Sequence, residues 1–152
     1  MQYILMHKNQ PVAELDLDAS SCAIIKVNNL FAPEHLPVGV AFKKGQVDRA
    51  ALNAWWRGRA IPSSRDGIRQ ALEKLQIPFP ELLLEKCFGL SLSDQYWICP
   101  QGSGIQWDTV NFFTNPFSGD VGNILLGHAS SGKNYGRKER ICTSSKCYCK
   151  IS

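Results

Sequence analysis

Arginines set beside tryptophans are the residues of this chain best equipped for chemistry. Trp55, Trp56, Arg57 and Arg59 lie close together, and Arg65 and Arg69 follow in the next segment. A guanidinium is a planar fork that fits phosphate or carboxylate, and an indole face can stack on a base. Such a cluster suits contact with nucleic acid or with an acidic partner. A plainer reading stands next to it. Neighbouring residues on a helix point about 100° apart, so at least one of the two adjacent indoles packs inward. Asp48, Asp66 and Glu73 also dilute the local positive field. Two helices around a short Ser-rich turn give the segment some likeness to a helix–turn–helix layout.

The other candidates are weaker. Cys142, Cys147 and Cys149 with His128 offer four zinc-type ligands, but their spacing is not that of paired zinc knuckles. Reactive thiols in a flexible tail are the simpler reading, and no metal is assigned. Cys22, Cys87 and Cys99 sit in apolar stretches and read as small core residues. Gly127 to Lys133 has phosphate-loop spacing, yet Asn134 stands where a magnesium-binding Ser or Thr is required. His7, His35 and His128 are scattered along the chain, and no nucleophile stands beside any of them. His35, between Pro33 and Pro37, reads as a surface turn residue. No catalytic residue and no cofactor is assigned.

The elements that must position these residues follow from periodicity. Gln2–His7 is a short β-compatible run, Lys8-Asn9-Gln10 a turn before Pro11, and Val12–Leu17 a half-buried strand. Cys22–Val27 is a third strand candidate, and the three together imply a small antiparallel meander. Pro33 and Pro37 make Phe31–Val40 a connector. Asp48 caps a helix through Trp56 whose inner face is Leu52, Trp55 and Trp56, with Gly58 as its stop. Ser63 or Ser64 caps a second helix through Leu75, with Ile68, Ala71, Leu72 and Leu75 as its stripe. Pro80 opens a third helix over Glu81–Phe88, with Gly89 as its cap. Gln95–Cys99 is extended, Gln101–Gly104 a loop, Trp107–Phe113 a helical turn, and Ser118 caps a short helix over Gly119–Leu126.

The chain has 152 residues, 44% hydrophobic and 20% charged, which suits one folded domain with a core of its own. No apolar run approaches the ~18 residues of a membrane span. The start has no basic region of the kind that opens a secretory signal. These features imply a cytoplasmic protein with reduced thiols. Charge is uneven: residues from His128 to Ser152 carry a net +5 and the rest a net −1. The basic character belongs to the tail, so the body carries little of the electrostatic footprint of a nucleic-acid binder.

Several stretches resemble the opening portion of HipA-like proteins of Gram-positive anaerobes, some of them labelled excisionase-like. They are Leu5–Glu14, Pro33–Gly39, Leu52–Arg59, Ile61–Gly67, Gly89–Trp97, Val110–Phe113 and Phe117–Gly127. The likeness covers residues 1–127. It implies descent from a serine/threonine-kinase-like toxin that is often paired with a DNA-binding antitoxin. The ATP loop, catalytic aspartate and metal-binding aspartate of such kinases would follow this portion, and no residue here matches them. From His128 onward the sequence departs from the family, as a truncated gene or a change of reading frame would make it.

The expectation is therefore an α+β fold. A small N-terminal antiparallel sheet is followed by several short helices around one core, in a domain over residues 1–127 with a basic, Cys-containing flexible tail over 128–152. The expected function is a non-catalytic, protein-binding or regulatory module without a kinase core. Its partner would be an antitoxin-like or kinase-core-like protein. The alternative is a DNA-binding accessory factor or mobile-element regulator. Trp55, Trp56, Arg57, Arg59, Arg65 and Arg69 are the contact candidates.

Overall fold

The computed structural model describes residues 1–62, 64 and 68–115. The fold is α+β, as expected: a four-stranded antiparallel sheet with short helices. Strands β1 (Gln2–His7), β2 (Gln10–Leu17) and β3 (Ile24–Leu30) form the meander, and β6 (Tyr96–Pro100) joins it to give the order β3-β2-β1-β6. Between β3 and β6 come a 3-10 turn (Pro33–His35) and a minimal hairpin, β4 (Phe42–Lys43) with β5 (Gln46–Val47). Helices α1 (Arg49–Gly58), α2 (Ile68–Leu75) and α3 (Pro80–Lys86) follow the hairpin, and α4 (Trp107–Val110) follows the sheet.

The β1–β2 turn is tight, with His7 facing Gln10 and Lys8 at φ +54°. Leu5 pairs with Ala13 but Met6 with Pro11, so Val12 is an extra residue opposite β1. That bulge accommodates a proline, which cannot complete a ladder. It also explains why consecutive residues, Val12 and Ala13, are both buried before the alternation resumes at Leu15 and Leu17. The Val12 carbonyl accepts from the amides of Phe31 and Ala32, which fixes the exit of β3. Asp18 closes the β2–β3 connection by accepting from the amides and hydroxyls of Ser20 and Ser21. Those hydrogen bonds hold its carboxyl down at about 2.

Helix α1 begins where its cap was expected: the Asp48 carboxylate accepts from the Ala51 amide at 2.9 Å. It docks on the entrance to β3. The Asn53 side-chain oxygen accepts from the Ile24 amide at 2.8 Å, and Arg49 donates to the Ile24 carbonyl at 3.1 Å. Leu52 and Trp56, four apart, enter the main core with Leu5, Leu15, Leu17 and Ile98. A second cluster lies around Trp97, Phe88, Trp107 and Phe112, and a third joins Ile68, Ile77, Leu83 and Cys87.

Some boundaries and one element differ from expectation. Strand β3 runs three residues further than expected, to Leu30, because its pairing with β2 continues to Ala13. Helix α3 stops at Lys86 rather than Phe88, since Phe88 and Gly89 both adopt positive φ, +56° and +63°. Gly89 has no alternative there. Its Cα lies against the Trp56 ring, and a Cβ would overlap that ring. The hairpin of β4 and β5 lay in a segment to which the sequence pattern gave no element. The expected capping residue Ser63, the helix over Gly119–Leu126 and the boundary at 127/128 lie outside the described residues.

Candidate functional site

Arg59 is the residue just past α1, and the structure spends it inside the fold. Its side chain is 6% exposed. Nε and Nη2 donate to the Gly89 carbonyl at 3.0 and 2.7 Å, and Nη2 also reaches the Tyr96 carbonyl at 3.1 Å. Nη1 and Nη2 form a two-point pair with the Asp94 carboxylate at 2.5 and 3.0 Å. The guanidinium carbon sits 4.6 Å from the centre of the Trp55 ring, a cation–π arrangement. One side chain thus ties the end of α1 to the segment leading into β6. With its fork so engaged, Arg59 has little left to offer a phosphate.

An aromatic row continues from this junction. Trp55 meets Tyr96 edge-on at 5.5 Å, and Tyr96 stacks on His7 at 4.6 Å with the rings 18° apart. His7 faces His35, with Nδ1 to Nδ1 at 3.0 Å. All four rings are half-buried. Burial lowers the pKa of His7, and His35 and Lys8 push it the same way against a smaller pull from Asp94. Burial raises the pKa of Tyr96, with Asp94 adding to it and Arg59 opposing.

Beside Trp55 lies an open groove of about 430 Å³, walled by Trp55, Gly58, Pro62, Ser91, Ser93 and Asp94. The Ser91 hydroxyl accepts from the Ser93 amide and is 2.7 Å from the Ser93 hydroxyl, so this wall is internally braced. The groove therefore presents an indole, two hydroxyls and a carboxylate already neutralised by Arg59. That is a surface for apolar and hydrogen-bonding contact rather than for a free anion.

The contact candidates separate in space. Trp55 lines the groove. Trp56 is 1% exposed, and its indole N–H donates to the Cys22 carbonyl at 2.8 Å. It is therefore the inward-packing member of the pair. Arg57 is exposed, 58% at the side chain, 3.5 Å from Glu81 on α3. Arg69 is exposed on α2, and Arg65 lies outside the described residues. Of the five described candidates the structure brings only Trp55 and Arg59 together at the groove, and it adds Asp94, Tyr96, His7 and His35. The histidines that look scattered in sequence meet because β1 ends where the 3-10 turn crosses it. The extended aromatic run at Gln95–Cys99 was the available signal for Tyr96. Nothing local marks Asp94 as the partner of an arginine thirty-five positions away.

Cys22, Cys87 and Cys99 are buried thiols, as expected, and burial raises the pKa of Cys22. Among the described residues, no three His, Cys, Asp or Glu side chains are grouped to hold a metal, and no helix is long and apolar enough to cross a membrane. His128, Cys142, Cys147 and Cys149, and the phosphate-loop-like stretch, lie outside them. No family model, curated protein or solved structure matches this chain.

Proposed function

We propose that the chain is a non-catalytic, protein-binding module of HipA-like descent that takes up a segment of its partner in the groove beside Trp55. The observation that carries this reading is the state of Trp55. Its ring is half-buried, backed by the Arg59 guanidinium and bordered by open space. A rigidly held indole next to a groove loses little entropy on binding, which is why tryptophan dominates contact energies at interfaces. The sequence likeness of residues 1–127 to the opening portion of HipA-like toxins supports an antitoxin-like or kinase-core-like protein as the partner, in the cytoplasm.

The test is light scattering after size exclusion, with the chain alone and mixed with such a protein, followed by titration calorimetry. Trp55→Ala should weaken the complex at least tenfold while the strand pairing seen by NMR stays intact. A chain that stays monomeric and inert with both partner types counts against the reading.

The alternative is a DNA-associated accessory factor. The exposure of Arg57 and Arg69 favours it, and the engagement of Arg59 and Trp56 within the fold weakens it. A gel shift that fades with added salt and with Arg57→Ala and Arg69→Ala would support it. No shift at low salt removes it.

A further inference from the structure

His7 closes β1 and His35 closes the 3-10 turn, and the two rings meet end to end. Their centroids are 5.2 Å apart and their Nδ1 atoms 3.0 Å apart. The difference is about one ring radius at each end, so both nitrogens lie nearly on the line joining the rings. That is the layout of an N–H···N hydrogen bond. A metal shared by two imidazoles would sit off that line, with both lone pairs converging on it.

We propose that His7 and His35 form a proton-operated latch: one proton bridges their Nδ1 atoms, and when both rings are charged the Pro33–His35 turn lifts from the sheet end and bares the Tyr96 ring. The charge states follow from donor counting. A neutral pair has one Nδ1–H and one Nδ1 lone pair, and so does a pair with a single added proton. A doubly charged pair has two N–H groups head to head and no acceptor. The pair therefore titrates as a unit, and its second proton opens it.

Few other contacts hold this turn from the polar side. The Tyr96 hydroxyl reaches the Leu36 carbonyl only at 3.5 Å. The turn's own bonds, His35 amide to Ala32 carbonyl and Leu36 amide to Pro33 carbonyl, are local. On either side Ala32 is buried, and Leu36 packs against the main core ahead of the fully buried Pro37, so the motion is confined to Pro33–His35. The charged and titratable surroundings are Lys8 beside His7, Glu34 beside His35, Tyr96 under His7, and Asp94, which Arg59 already engages. Burial and Lys8 oppose charge on His7, which keeps the latch closed at neutral pH and places its opening on the acid side.

The experiment uses the full chain. Amide-exchange protection factors of His35 and Leu36 are followed by NMR from about pH 8 to about pH 5, above the carboxylate range. Leu5 in the sheet ladder and Ile98, whose amide donates to the Phe88 carbonyl at 2.8 Å, serve as references. Protection at His35 and Leu36 should drop at least tenfold while the references hold. His35→Asn places an uncharged amide where Nδ1 stood, and it should abolish the drop. An equal drop in His35→Asn, or no drop in the parent chain, overturns the latch. Imidazole nitrogen shifts of the parent chain decide the matter without any variant. A shared Nδ1 proton supports the proposal, and two independent ordinary titrations overturn it. Displacement of both Nδ1 signals by equimolar zinc would make the pair a metal site instead, and would also overturn it.

Discussion

In the β1–β2–β3 meander, stability is spread over a backbone ladder and a row of buried aliphatic side chains, Leu5, Leu15, Leu17 and Ile24 among them. At the α1–β6 junction it is concentrated in one guanidinium that reaches two carbonyls, one carboxylate and one indole. The meander joins strands that follow one another in sequence. The junction joins residues some thirty positions apart through a side chain. A distributed element tolerates trimming, whereas a junction built on one residue fails with that residue. A site placed beside such a junction inherits both its rigidity and its fragility.

The largest loss is expected at Gly89, where junction and core touch. Gly89→Ala puts a Cβ into the Trp56 ring and holds an L-residue at φ +63°. Strain and overlap together should cost about 3–4 kcal/mol, read as a fall in the urea midpoint.

Arg59→Ala should cost about 3 kcal/mol in the same measurement. It leaves two carbonyls without a donor and Asp94 without its cation. Asp94 remains 30% exposed, so water recovers part of the loss and the effect stays at the low end for a broken inner pair. Arg59→Lys keeps the charge but not the fork, and should recover about half. A loss near zero for Arg59→Ala would show that the junction is as redundant as the meander.

The meander supplies the contrast. Ile24→Val removes one buried methylene and should cost about 1 kcal/mol, with unchanged strand pairing by NMR. A larger loss would show that the sheet is as tightly specified as the junction.

The smallest effect belongs to Asp18. Its carboxyl is depressed from 3.8 to about 2 in the fold. The stability it contributes is present above the unfolded value and is lost as pH falls through the folded one. Asp18→Asn should flatten that acid slope, with a small loss of stability near neutrality that vanishes at the acid end of the curve.

Much of the fold was legible because its signals are local. A short apolar, β-compatible run marked β1, alternation marked β2, Asp48 marked the start of α1, and Pro80 the start of α3. The end of α3 was not, because a run of good helix formers gives no warning that Phe88 will turn to positive φ. The candidate site was legible only in part. Trp55 and Arg59 stood out by residue type, but the same types made Trp56 look equivalent to Trp55. Which indole faces the core depends on where α1 docks, and that is set by Asn53 and Arg49 holding Ile24.

By itself, then, the order of residues determined the α+β class, the three-stranded start and the amphipathic face of α1, since periods of two and of 3.6 are properties of neighbours. Tertiary structure decided the fourth strand, the pairing of Arg59 with Asp94 and the meeting of His7 with His35. Each of these joins residues whose separation carries no periodic signal. They come together only after burial of the core has brought β6 against β1 and the 3-10 turn against the sheet end.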